Sequence, residues 1–192
     1  MKLLGISGSM TKSGRTRTAV QFALDAARGR FPEIEIELLD LRERKIALLD
    51  GRALSEYQDD TPGVVEKVQR ADCFLIGSPI YRGTYTGALK NLLDHVPLEA
   101  LMGKVVGLIA TGATAHHYLA IDHEFRAVMA WFNAYVAPGS VYVENAHFRE
   151  QELADERVRE HLRQLGEGVV LLARKLQGTP AEPPPLAAWT RG

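Results

Sequence analysis

Short apolar runs alternate with segments of helical period along nearly the whole chain. Residues 2–6 read as a buried strand. Behind them Thr16, Ala19, Val20, Ala23, Leu24 and Ala27 recur at the spacing of one helix face. Residues 33–39 partly alternate Glu with Ile and Leu, as a strand with one wet face does. Thr61 and Pro62 suit a helix start, and Val64, Val65 and Val68 give that helix its inward side. Residues 73–77 form a third apolar strand, followed by a helix over Gly87–His95.

Residues 105–110 supply a fourth strand, and Phe125, Val128, Met129 and Phe132 mark the next helix. Residues 135–143 make a fifth strand, interrupted near Pro138 and Gly139. Leu153, Val158, Leu162, Leu165, Val169 and Leu172 fall near a helical stripe, which predicts a long final helix. Five strands alternating with helices imply an α/β fold with a doubly wound parallel sheet. The half-wet second strand suits an edge, so the expected order is 2-1-3-4-5. Residues 1–176 form one domain, and residues 177–192 a Pro-rich tail that cannot continue the helix. That tail reads as a solvated end or as an arm packed on a neighbour, the second preferred, with Trp189 as its anchor.

A chain of 192 residues can bury roughly 70% of the surface that its unfolded form exposes. Its net charge of −1 gives no general reason to invoke nucleic acid or an anionic membrane as partner. No stretch approaches the ~20 apolar residues of a membrane span, so a cytoplasmic setting is expected. The single cysteine, Cys73, sits inside an apolar run and reads as an inert core thiol.

Chemistry is concentrated in three loops at the ends of strands. The first, residues 8–18, carries Gly8, Ser9, Thr11, Ser13 and Gly14, then Arg15, Thr16, Arg17 and Thr18. Hydroxyls and backbone amides at a helix start present several donors to one anion, and Arg15 and Arg17 can offset a phosphate charge. Five residues separate Gly8 from Gly14 and Arg15 follows, so this is not a Walker loop; the dinucleotide fingerprint is also absent. Taken alone, the loop fits an ordinary polar turn equally well.

The second loop holds Ser78, Pro79, Ile80, Tyr81, Arg82 and Gly83; the third holds Thr111, Gly112, Ala113 and Thr114. They follow neighbouring strands and face one another across a slot. Pro79 stiffens one wall, while Gly83 and Gly112 permit close approach of a flat ring. With the first loop they suggest a flavin nucleotide site at the carboxyl edge of the sheet. His116 and His117 are adjacent and diverge by about 100° on a helix, so they form no metal pair. Lys90 and Asp94 read as a helix-surface ion pair or as a contact between subunits, and residues 42–45 as a solvated loop.

These residues resemble a family. Ser78-Pro79-Ile80-Tyr81, the block from Gly87 to Asp94, and Gly103 to Val106 look like the flavodoxin-like NAD(P)H-dependent FMN reductases. The nearest branch supplies reduced flavin to two-component sulfonate monooxygenases. The likeness covers residues 2–143. It implies a flavodoxin-like three-layer sandwich, non-covalent FMN, NADPH or NADH as hydride donor, and a homodimer or homotetramer. It also implies free flavin, quinone or azo compounds as acceptors, and a flavin-dependent monooxygenase as a partner. Carried over, Ser7, Ser9, Arg15, Thr16, Arg17 and Thr18 surround the phosphate. Pro79, Ile80, Tyr81, Arg82 and Gly83 meet one side of the ring, with Thr111, Gly112, Ala113 and Thr114 on the other. No side chain need be catalytic and no metal is implied. Met10 and Thr11 stand where the family often has Arg, and His123 where the sulfonate branch can carry Tyr. The competing reading is a flavodoxin-type electron carrier without pyridine-nucleotide activity. Such carriers are strongly acidic and bracket the ring with aromatics, whereas this chain is near neutral and offers only Tyr81 and Tyr85. A flavin-free regulatory module on the same fold is the third reading.

Overall fold

In the computed structural model, which describes residues 1–179, four strands pair in parallel in the order β2-β1-β3-β4. They are β1 (Lys2–Ser7), β2 (Glu35–Asp40), β3 (Cys73–Pro79) and β4 (Val105–Gly112). The fifth lane is built in two pieces, β5 (Tyr135–Val136) and β6 (Val141–Glu144), both parallel to β4. The expected 2-1-3-4-5 order and the break in the last strand are therefore both present. Val136 pairs with Val106 and Val141 with Ile109, so residues 137–140 bulge past the two residues 107 and 108. Pro138 has no N–H to give to a ladder there. The carbonyls of Ala137 and Pro138 instead accept from the Arg126 guanidinium, each at 3.1 Å.

Helices cover both faces, giving three layers. Helices α1 (Arg15–Arg30) and α5 (Glu156–Leu176) lie on one face; α2 (Thr61–Arg70), α3 (Gly87–His95) and α4 (Arg126–Trp131) lie on the other. Successive strand residues feed opposite cores: Leu3 and Leu75 pack with Val20, Leu24 and Leu162, whereas Leu4 and Phe74 pack with Val68, Leu92 and Phe125. A sheet buried on both faces needs continuous apolar strands, which explains the runs in the sequence.

Two elements differ from the sequence reading. Leu153 belongs not to the final helix but to a small antiparallel pair, β7 (Phe148–Arg149) and β8 (Glu152–Leu153). The helix begins at Glu156 because the Asp155 carboxylate accepts from the amides of Arg157 and Val158, at 2.9 and 3.0 Å. The fourth helix opens with a π-helical turn, Ile121–Phe125, before α4. The expected Trp189 anchor lies outside the described residues, and no helix among those described is long and apolar enough to cross a membrane.

Cys73 is buried in β3, and burial, aided by Asp72, pushes its thiol up to about 12. The thiolate is the reactive form. Labelling of the native protein by a thiol reagent should therefore be no faster than unfolding; rapid stoichiometric labelling at neutral pH would contradict this burial.

Candidate functional site

The carboxyl ends of β1, β3 and β4 are fastened to one another before any ligand is considered. Gly8 donates its amide to the Gly77 carbonyl at 2.7 Å. A side chain at Gly8 would stand 2.9 Å from Leu89 Cβ, so the loop can pass this close only as glycine. Thr86 joins the loop to α3: its hydroxyl donates to the Gly8 carbonyl at 2.6 Å and accepts from the Leu89 amide at 3.2 Å. Ser78 Oγ accepts from the Thr86 amide at 3.0 Å. Ile80 donates to the Thr111 carbonyl at 2.8 Å, and the hydroxyls of Thr16 and Thr111 meet at 2.8 Å. Three loops remote in sequence thus share one buried frame.

Within the first loop the hydroxyls of Ser9, Thr11 and Ser13 form a chain with steps of 3.0 and 3.1 Å. Gly14 enters α1 at φ 66°, a left-handed conformation that favours glycine. No side chain caps α1 and its first turn holds no acid. Gly14 closes a turn on Thr11, whereas the amides of residues 12, 13 and 15–17 meet no protein acceptor among the described residues. Arg15 Nη1 donates to Asn145 Oδ1 at 2.7 Å, and the guanidinium lies 5.8 Å from the centre of the Phe148 ring. Its Nε is buried without a partner.

These groups line a cavity of about 280 Å³. Of the predicted residues, Ser9, Arg15, Thr16, Pro79, Ile80, Tyr81, Thr111, Gly112 and Ala113 are on its wall. Thr11, Ser13 and Asn145 join them. The two hydroxyls were visible as part of the polar loop, but nothing in the sequence pointed to Asn145, which arrives from beyond β6.

The remaining predicted residues lie off the wall, each for a local reason. Ser7 is fully buried, with its Oγ unpartnered. Arg17 turns to Asp40, with Nε 3.6 Å from Oδ2, and Thr18 is one residue further along α1. Arg82 and Gly83 form a two-residue turn closed by Tyr81 and Thr84, with φ of 56° and 86°. Thr114 accepts at its carbonyl from the Tyr142 hydroxyl, at 2.9 Å. That tyrosine also accounts for Gly112: an added Cβ would be 1.8 Å from the Tyr142 oxygen. The glycine makes room for the protein's own side chain.

Arg15 and Tyr81 are the ionisable groups on this wall, which carries no carboxylate, His or Cys. Such a wall does not suit general acid–base work or nucleophilic attack by the protein. It suits an anion, because free amides, hydroxyls and a guanidinium with an unused buried N–H surround one space. The residues present therefore fit the phosphate of a flavin nucleotide. A larger cavity of about 560 Å³ lies elsewhere, at the amino ends of the strands, beside Met1, Asp72, Lys104 and Thr179. It lacks this set of donors, and ligands of open α/β sheets bind at the carboxyl ends. Among the described residues no group of His, Cys, Asp and Glu could hold a metal ion.

The chain matches the family model for NADPH-dependent FMN reductase over residues 1–148. It is 46% identical to an NAD(P)H-dependent FAD/FMN reductase of Geobacillus thermodenitrificans, covering 88% of this chain and 92% of that protein. It is 33% identical to an NADH-dependent FMN reductase of Pseudomonas fluorescens, over 85% of this chain and 87% of the other. In fold it is similar to an NADH:FMN oxidoreductase solved in its apo form, with a TM-score of 0.78, 24% identity, and 95% and 96% of the two chains covered. With a family-model match over most of its length and a relative 46% identical across nearly all of it, the chain belongs to the family of NAD(P)H-dependent FMN reductases.

Proposed function

We propose that the 280 Å³ cavity holds non-covalent FMN, with its phosphate at the first loop and its ring between the other two. The observation that carries this is the buried, unpartnered Nε of Arg15 beside the unpartnered amides of residues 12, 13 and 15–17. Ser9, Thr11 and Ser13 add hydroxyl donors, and Asn145 holds Arg15 in place. Ile80, tied to Thr111, fixes the spacing of the two ring walls, and Pro79 keeps one of them stiff. Tyr81, 49% exposed at the rim, is placed to border an incoming nicotinamide.

Held there by these residues, FMN would supply the redox chemistry, hydride acceptance from NADPH or NADH and electron transfer to free flavin, a quinone or an azo compound. The chain's part is to orient the two reactants; its wall offers no carboxylate, His or Cys to the reaction. We place this activity in the cytoplasm, where it would supply reduced FMN to a flavin-dependent monooxygenase. A homodimer or homotetramer is part of the reading. Trp131, 58% exposed beside the Lys90–Asp94 pair, gives the α3–α4 face a mixed apolar and charged surface suited to a second copy.

The test is anaerobic stopped-flow absorbance of the full chain with FMN, mixed with NADPH and then with NADH. Rapid loss of the oxidised-flavin band with at least one donor is expected, and the faster donor is the preferred one. Bound FMN that neither nucleotide bleaches would refute a reductase and leave an electron carrier.

A further inference from the structure

We infer that Arg42, seated on the buried carboxylate of Asp40, is a positioning residue that presets the first loop for the phosphate. Its sequence neighbourhood, residues 42–45, reads as a solvated charged loop, yet the structure gives Arg42 three tasks at once. Its amide donates to Asp40 Oδ1 at 3.2 Å, and its Nη2 lies 3.6 Å from Asp40 Oδ2. Its Nη1 reaches across to the carbonyls of Thr11 and Lys12, at 3.5 and 3.4 Å. Asp40 ends β2 with its side chain only 5% exposed, so the anchor is part of the sheet edge and not of the loop.

The consequence follows from peptide geometry. In a trans peptide the C=O and the N–H point in opposite directions. Holding the Thr11 carbonyl toward Arg42 turns the Lys12 N–H away from it, and holding the Lys12 carbonyl does the same for the Ser13 N–H. Arg42 stands off the cavity wall, while Thr11 and Ser13 are on it. The guanidinium therefore gathers the carbonyls, which would repel an anion, on the outer side of the loop and leaves the amides for the phosphate. The contacts are long for hydrogen bonds, so they bias the loop and do not lock it. Asp40 has a second arginine, Arg17, at 3.6 Å, which keeps the buried carboxylate paired if Arg42 is replaced.

This rests on the reading that the phosphate lies in the 280 Å³ cavity, and the test separates the two claims. Flavin-free full chain is titrated with FMN and with riboflavin, which lacks the phosphate, as wild type, Arg42→Ala and Arg42→Lys, at low and moderate salt. If alanine leaves the loop in its binding form about a tenth of the time, FMN affinity falls about tenfold. Riboflavin affinity should stay within about twofold, since it does not reach the loop. Lysine keeps the charge but lacks the planar fork, so it should restore only part of the loss, at either salt concentration. Unchanged FMN affinity in Arg42→Ala would overturn the proposal. So would full wild-type affinity in Arg42→Lys, which would make Arg42 a source of charge alone. Wild-type protein that binds FMN no tighter than riboflavin would remove the phosphate site itself. Arg42→Lys keeps the question answerable if the alanine variant does not fold.

Discussion

Replacing Arg15 by alanine is expected to weaken FMN binding by about 10- to 100-fold and to leave riboflavin binding within about threefold. Hydrogen bonds to a charged group contribute roughly 1.5–3 kcal/mol, and Arg15 can direct an otherwise unused Nε at the phosphate. Its side chain is held from two sides, by Asn145 Oδ1 at 2.7 Å and by the Phe148 ring, so little ordering remains to be done on binding. No carboxylate on the cavity wall competes for it. Arg17→Ala is the informative contrast. That side chain is 47% exposed and turned toward Asp40, so its loss should cost FMN far less than the loss of Arg15. Fluorescence titration with both flavins decides the matter. Equal losses for FMN and riboflavin in Arg15→Ala would mean that the arginine supports the ring or the fold and not the phosphate.

Gly166→Ala should be the most damaging small substitution in the helical layer. Here α5 crosses α1 so closely that an added Cβ would lie 2.2 Å from the Ala23 carbonyl oxygen and 3.0 Å from its carbon. These are backbone atoms of a packed helix and cannot swing aside, so the helices must separate. Overpacking of this kind costs about 1–3 kcal/mol. At roughly 2–4 °C per kcal/mol for a chain of this size, Tm should fall by about 2–12 °C. Gly168, two positions on, has nothing within 4 Å of its added Cβ. Gly168→Ala should be neutral or stabilising by up to ~1 kcal/mol, because alanine is the better helix former. Thermal unfolding should thus show a lower Tm for Gly166→Ala and an unchanged or higher Tm for Gly168→Ala; a Tm raised in both would show that helix propensity, not the α1–α5 approach, governs this stretch.

The middle of the sheet was legible in the sequence because β1, β3 and β4 are buried on both faces and therefore read as continuous apolar runs. The wet edge of β2 and the Pro138 break were legible for equally direct reasons: alternating Glu, and a residue with no N–H to give. The β7–β8 pair was not, since its strands are too short to show a period and Leu153 falls in phase with the helix that follows. In the site, the residue types of the first loop pointed to an anion, and the structure brings most of the named residues to one cavity. What the sequence could not reveal were the partners that cross from elsewhere. Asp40 diverts Arg17, Arg42 grips the loop's carbonyls, Asn145 holds Arg15, and Tyr142 occupies the space beside Gly112. Each joins positions 20 or more residues apart, as 17 and 40 or 15 and 145, and no local pattern encodes such a contact.

The central claim is the location of the flavin, and a crystal structure of the full chain with FMN tests it most directly. The account predicts phosphate oxygens about 2.7–2.9 Å from the Arg15 guanidinium, with free amides among residues 12, 13 and 15–17 also donating to them, and the ring between Ile80 and Gly112. FMN in the larger cavity beside Lys104 and Thr179, or a phosphate facing away from Arg15, would contradict it.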